Sequence, residues 1–475
     1  MPAVDELALL PATRLLELFR QREISPVEST QAVLDAIERF NPDVNAYCLV
    51  DAEGALAEAR RSEQRYASGQ TLGLLDGVTV GVKDIFLTRG WPTLRGSTLI
   101  DAGQPWIVDA PVVAALRRHG AILTGKTTTP EFGWKGVTDS PLTGITRNSW
   151  DTTKTSGGSS GGSGAAIPLG MATLALGTDG GGSIRIPSSF SGIVGLKPTY
   201  GRVPHWPASP FDTLAHAGPM GRTVLDVALM LTALSEPDMR DWTALPHVPP
   251  TYLDEIDAGV AGLRVAFSPT LGYAKVDPEV AATVRTAAAV FEELGAFVDE
   301  TDPGFSDPIE YFTTLWYSGV ARVAEAYSEA QVEQMDPGLQ RIVEAGRQIS
   351  AVQYVGAVLA RRDLGTFLNA FHQRYDLLVT PTIAIPPFEA GRNVPEGWPA
   401  ERWESWAPFS YPFNLTQQPA VTVPCGFTES GLPIGLQIVG PKYRDDLVLR
   451  GAYAYQAARP LVKTRPALLL RDSAE

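Results

Sequence analysis

The chain has 475 residues, 44% of them hydrophobic and 19% charged, and carries a formal net charge of −14. That length is ample for a large core, in one big domain with an insertion or in two to three smaller ones, while the acidic balance argues against a nucleic-acid binder, which would present a basic face. Cys48 and Cys425 are the two cysteines and make no disulfide framework; with no secretory leader pattern and no run near the ~20 apolar residues of a membrane span, a cytoplasmic protein without membrane contact is expected.

The N-terminal part, 1–70, reads as helical. Ser25-Pro26-Val27-Glu28 has the form of a capping box with proline at the first helical position, and Val33, Leu34, Ile37 and Phe40 make one apolar face until Asn41-Pro42 stops it. In 71–260, the alternation Val78, Val80, Val82 predicts a strand that Lys83 closes, and strand ends are where open α/β sheets hold ligands. A helix over PVVAALRRHG leads to a strand at Ala121 to Leu123, and the uncharged apolar run Ala165 to Gly177 has the length of a buried helix. After the proline-rich link Leu245 to Pro250 comes a strand at Leu263 to Phe267. Residues 261–375 read as a helical insertion whose aromatics Phe305, Tyr311, Phe312, Trp316 and Tyr317 either line a pocket or pack its own core. The last part, 376–475, adds strands at Leu377 to Thr380, Ala420 to Val423 and Ile434 to Val439. Strands alternating with helices predict an α/β fold, with a mixed, mostly parallel central sheet covered by helices on both faces.

The most informative stretch is Thr155 to Ser191, TSGGSSGGSGAAIPLGMATLALGTDGGGSIRIPSSFS, which holds two glycine-flanked serines, Ser159 and Ser183, 24 residues apart. Flanking glycines let backbone N–H groups approach a reacting carbonyl, so the pair suggests a nucleophile and a helper. A flexible linker would account for Gly157 to Ser163 alone, but not for Asp179 and Arg185 bracketing Ser183. Other motifs compete. GAILTGKT (Gly120 to Thr127) fits the P-loop letters, yet a helix precedes it, and Thr127, Thr128, Thr129 and Pro130 follow where a P-loop needs a helix. Gly157-Gly158-Ser159-Ser160-Gly161 fits a nucleophile elbow served by a downstream His205, His216, His247 or His372, although polar Asp151 to Ser156 lacks the preceding strand. Ser183 can also be read as a helix cap, of a helix that Pro187 keeps short. No histidine pair has metal-ligand spacing, so no metal is expected.

The run GGSSGGSGAA, then GTDGGGSIRIPSSFSGIVGLKPTYGRVP, with LLDGVTVGVKDIF (Leu74 to Phe86) upstream, resembles the amidase signature family. Weaker similarity in GAILTGKTTTPEFG, DLLVTPT and LPIGLQIVGP makes Leu72 to Val260 and Asp376 to Pro441 look like family core. The resemblance implies the amidase signature fold and a catalytic set: Lys83 as base, Ser159 as the bridging serine that usually sits on a cis peptide, Ser183 as nucleophile. Gly180, Gly181, Gly182 and Ser183 are candidate oxyanion donors. Ser160, Asp179 and Arg185 are expected to support them, and Trp134 and Trp316 to line the substrate pocket. A lysine can act as base only if burial lowers its pKa from about 10.4 toward about 7 to 8, and apolar Val80, Val82, Ile85 and Phe86 can supply that burial. The implied enzyme is a cofactor-free serine hydrolase of small-molecule carboxylic amides, with carbamates and esters as further substrates, working as a monomer or homodimer. The main alternative is the amidase-like component of a glutamyl-tRNA amidotransferase complex. There GLKPTYGRV usually continues in a SRYGLVAFASSLDQIGP-like stretch, whereas this chain continues PHWPASPFDTLAHAGP.

Overall fold

The computed structural model describes residues 4–246, 251–461 and 465–470. Its strands are β1 (Tyr47–Val50), β2 (Thr79–Lys83), β3 (Ile122–Thr127), β4 (Asp139–Ser140), β5 (Gly144–Ile145), β6 (Leu174–Asp179), β7 (Val194–Lys197), β8 (His216–Gly221), β9 (Arg264–Phe267), β10 (Phe297–Glu300), β11 (Leu377–Pro381), β12 (Ala420–Phe427) and β13 (Pro433–Val439). β4 and β5 pair with each other, and the other eleven form one sheet in the order β1-β3-β2-β6-β8-β7-β12-β13-β11-β9-β10. The sheet is mixed. Its parallel pairings lie in two blocks, β3-β2-β6 and β11-β9-β10. The strands between the blocks, and the β1 edge, pair antiparallel.

Helices cover both faces because the strands are apolar on both. Successive side chains of a strand point to opposite sides. Val265, Phe267, Leu377, Val379, Val421 and Ile438 accordingly enter one core, whereas Ala266, Leu378, Ala420 and Val439 enter another. The first core is closed by helices such as Val224–Leu234, Pro278–Glu293 and Asp445–Ala458, and the second by Ile309–Ala324, Pro337–Arg347 and Ala351–Phe371. None of the described helices is long and apolar enough to cross a membrane.

Two local expectations change. The Ser25 capping box forms, with Ser25 Oγ accepting from Glu28 N–H and Glu28 accepting from Ser25 N–H, but the helix runs Pro26–Val44 through Pro42 and ends at Asn45, φ 51°. A proline near a helix's end removes one intrahelical bond without preventing the last turn. Ala165 to Gly177 is not one helix: Gly161–Ala166 is helical, a 3₁₀ turn Ile167–Leu169 follows, and Leu174 starts β6. A strand buried on both faces is as uniformly apolar as a buried helix, so periodicity does not separate them. The link Leu245 to Pro250 lies partly outside the described residues. The P-loop letters, in contrast, fall on β3 as expected, with Lys126 Nζ buried and donating to Phe86 O at 2.6 Å and Thr93 Oγ1 at 2.9 Å.

Candidate active site

β2 ends at Lys83, and the register of its parallel neighbour, Val82 beside Leu176, brings Thr178 and Asp179 to the same end of the sheet. Lys83 is fully buried. Its Nζ lies 2.7 Å from Ser159 Oγ, 3.0 Å from Ser160 Oγ and 2.7 Å from Thr178 Oγ1. Burial holds the amine well below the usual lysine value, against an upward pull from Asp179, because a low-dielectric site disfavours the charged form. The contacts suit a neutral amine, which has two N–H bonds and one lone pair. Ser160 Oγ donates to Thr178 O at 3.2 Å and so accepts from Nζ, leaving the lone pair to Ser159 or Thr178. Nothing in the sequence singles out Thr178, since a threonine in a strand is unremarkable.

Ser159 follows a cis Gly158–Ser159 peptide. Gly158 packs on the main chain of Val137, where a Cβ would come within 2.5 Å of the Val137 carbonyl. Ser160 N–H then donates to Ser183 O at 3.1 Å, joining the two serine segments. Ser183 precedes a short helix, Arg185–Ser191. Its hydroxyl makes no hydrogen bond to Ser159 among the described residues, and both serines line one cavity. Catalytic hydrogen bonds of this kind commonly tighten only when substrate is bound.

Asp179 organises the turn before Ser183. Its carboxylate accepts from Gly182 N–H at 2.8 Å and Ile184 N–H at 3.2 Å, and from Arg185 Nε at 2.9 Å and Nη2 at 3.0 Å. Burial by itself would push this carboxyl up; the Arg185 guanidinium overcomes that and holds it well below the usual carboxylate range. Arg185 also donates to Gln437 Oε1 at 2.8 Å and Asn414 Oδ1 at 2.7 Å, 252 and 229 residues away, which no local pattern reveals. This network corrects the donor set. Gly182 N–H is engaged by Asp179 and cannot meet an oxyanion; at φ 120° Gly182 instead turns the chain under Ser410, whose Cβ would lie 2.7 Å from an added Cβ. The N–H groups of Gly181 and Ser183 have no partner among the described residues, and Gly180 lines the cavity.

The cavity measures about 150 Å³ and is walled by Ile85, Phe86, Phe132, Trp206, Phe211 and Trp316. That is the size of a space that takes one benzene ring. Trp316 lines the cavity, stacked on Phe211 with ring centroids 3.8 Å apart. Trp134 does not. A left-handed turn at Phe132, φ 52°, presents Phe132 and Gly133 to the cavity and sends Trp134 away, buried beside Trp403 and Gly338; its carbonyl instead accepts from Trp316 Nε1 at 3.1 Å. Of the insertion's other aromatics, Phe305, Tyr311, Phe312 and Tyr317 join the second core. The missed walls, Trp206 and Phe211, come from the PHWPASPF stretch, where a cis Trp206–Pro207 peptide occurs.

The histidines available to an elbow mechanism are placed elsewhere. His216 Nδ1 lies 2.8 Å from Leu214 O and 3.1 Å from Asp179 O, and burial with Lys197 nearby keeps the ring well below its usual value. His372 caps the helix Ala351–Phe371, with Nδ1 3.0 Å from Tyr375 O. His205 lines the cavity, driven to about 4 by burial, and makes no bond to either serine. His247 lies outside the described residues. Asp151 to Ser156 forms no strand beyond isolated bridges at Lys154 and Thr155.

Comparison with known proteins agrees with this architecture. The Amidase family matches residues 28–449. An acylamidase of Rhodococcus erythropolis is 38% identical over 96% of this chain and 97% of its own length. A glutamyl-tRNA(Gln) amidotransferase component from Moorella thermoacetica is 36% identical over 98% and 99%. Among solved structures, a bacterial aryl acylamidase of the amidase signature enzymes superposes with a TM-score of 0.88 at 29% identity, covering 95% of this chain and 96% of that one. With a family match across most of its length and a relative of this identity along nearly all of it, the chain belongs to the amidase signature family and is an amidase acting on carbon–nitrogen bonds.

Proposed function

We propose that the chain hydrolyses small aryl and alkyl amides, and carbamates and esters of similar size, through an acyl-enzyme formed on Ser183. The observation that carries this reading is the buried Lys83 amine 2.7 Å from Ser159 Oγ, beside a cavity that Ser159 and Ser183 share. A neutral lysine at that position can take a proton from Ser159 while Ser159 takes one from Ser183, so that Ser183 Oγ attacks as an alkoxide-like nucleophile. The negative charge that builds on the carbonyl oxygen is met by N–H groups of Gly180, Gly181 and Ser183, each worth roughly 2.7 to 4 kcal/mol by analogy with other oxyanion holes. Protonated Lys83 returns its proton through Ser159 to the departing amine, and water reverses the sequence to free the acid. The aromatic walls favour an aryl group, and the similarity to an acylamidase and an aryl acylamidase supports that choice. We place the enzyme in the cytoplasm as a monomer or homodimer.

A second reading, one component of a glutamyl-tRNA amidotransferase complex, is favoured by the similarity to the Moorella thermoacetica protein. One experiment separates the two. The purified single chain should cleave a chromogenic anilide without partner proteins, and Ser183→Ala should abolish that turnover; activity that appears only with glutamine and added partners would overturn the amidase reading.

A further inference from the structure

Among the residues lining the cavity, Arg95 is the one with a permanent charge, and no Asp or Glu faces it there. Its backbone is fixed. Arg95 N–H donates to Asp84 Oδ2 at 2.9 Å, its carbonyl accepts from Phe132 N–H at 2.8 Å, and φ is 53°, a left-handed conformation that a non-glycine residue adopts at a cost. The side chain is left unanswered. Its Nε is buried without a hydrogen-bond partner, and among the described residues the guanidinium forms no ion pair and no side-chain hydrogen bond.

The acids near enough to matter are otherwise engaged. Asp84, whose charge reaches the guanidinium, gives Oδ2 to the backbone of Leu94 and Arg95 and holds Oδ1 3.4 Å from Lys126 Nζ. The phenol of Tyr327, also near the guanidinium, is neutral at ordinary pH. On the same cavity wall, His205 Nδ1 is also buried without a partner. A half-buried guanidinium with no anion is unfavourable, because desolvated charge is tolerated only when paired. Guanidinium and carboxylate have matched fork geometries.

We propose that Arg95 receives a carboxylate carried by the substrate, so that the preferred amides hold an ionised carboxylate a few atoms from the scissile carbonyl. This rests on the proposed reaction at Ser183, because it assigns the specificity of that same cavity. Arg95 lines the same cavity as Ser159 and Ser183, so a substrate held at Ser183 can present its carboxylate to the guanidinium. A neutral group in the same place leaves the guanidinium without an anion.

The test compares two matched pairs on the full chain, glutaryl 4-nitroanilide against butyryl 4-nitroanilide for a carboxylate on the acyl side, and 4-acetamidobenzoate against 4-acetamidobenzamide for one on the amine side. In at least one pair kcat/KM should favour the carboxylate by about tenfold or more. In Arg95→Leu that ratio should fall to near one, while Arg95→Lys keeps part of it. A ratio near one in both pairs for the wild type, or a preference that survives in Arg95→Leu, overturns the proposal. Binding gives an arm independent of turnover. In the Ser183→Ala background, benzoate and glutarate are titrated calorimetrically with Arg95 present and replaced by leucine. If no anilide is cleaved, the reaction at Ser183 is what fails; binding of either anion that needs Arg95 then still upholds the carboxylate site, and binding of neither overturns it.

Discussion

Replacing Lys83 by methionine separates a neutral lysine from a charged one without relying on turnover. Methionine keeps the length and fills the buried space but loses the N–H groups that Ser160 and Thr178 accept. These two hydrogen bonds and the one between Nζ and Ser159 Oγ are lost, at about 1 kcal/mol each with a spread of about half that. Against this stands a pH-dependent gain. The folded lysine is held well below its usual value by burial, whereas the unfolded one titrates near about 10.4. Between those two values the unfolded chain binds a proton that the folded chain does not, so wild-type stability rises with pH, by about 1.4 kcal/mol per pH unit from this group. Methionine removes that slope. Going from pH 9 to pH 7, the wild type should therefore lose stability that Lys83→Met keeps, by up to about 1.4 kcal/mol for each pH unit that lies above the folded lysine's value. Urea denaturation of both proteins at the two pH values reads the difference. Other buried bases, such as Lys197 and His216, contribute equally to both curves and cancel. A stability difference that does not change between pH 7 and pH 9 would show that Lys83 is charged in the fold, and the proton relay would lose its base.

The same neutral base sets the rate profile. kcat/KM on a neutral anilide should rise with pH through a value below that of a free lysine and stay on an alkaline plateau, and His216→Ala, measured in parallel, should not shift that rise. Asp179→Asn removes the charge that pairs the buried Arg185 guanidinium and turns one of the two acceptor oxygens into an N–H donor, so it should lower stability by about 3 to 5 kcal/mol and turnover with it; a variant with wild-type kcat would contradict the bracing role. Phe211→Ala removes the ring stacked on Trp316, worth about 1 kcal/mol beyond area burial, and should raise KM for aryl substrates about fivefold or more while short aliphatic amides change less.

What the sequence reveals and what it hides divide by distance along the chain. Lys83, Ser159, Ser160, Asp179, Ser183 and Arg185 lie in or beside short glycine-rich motifs whose local constraints are visible as letters. β2, β3, β9, β11, β12 and β13 are legible because each carries a short run of mostly apolar, often β-branched residues. β7 and β8 are not: HAGPMG reads as a breaker-rich loop and becomes a strand only because β6 and β7 supply partners on both sides. The helix expected over Ala165 to Gly177 fails for the same reason, since burial erases periodicity. Asn414 and Gln437 support Arg185 from the far end of the chain, which no spacing rule foresees. Gly182 shows a finer limit. Four consecutive N–H groups look equivalent in the string GGGS, and only the Asp179 carboxylate, placed by folding, removes one of them from use.

The central claim is that Ser183 carries the acyl group, and the most direct measurement is its capture. The enzyme is mixed with 4-nitrophenyl acetate, quenched in acid within the first turnovers, digested and analysed by mass spectrometry. The account predicts an acetyl group on the peptide containing Ser183, absent from Ser183→Ala and much slower to form in Lys83→Met. Acylation found at Ser159 with Ser183 unmodified would contradict it.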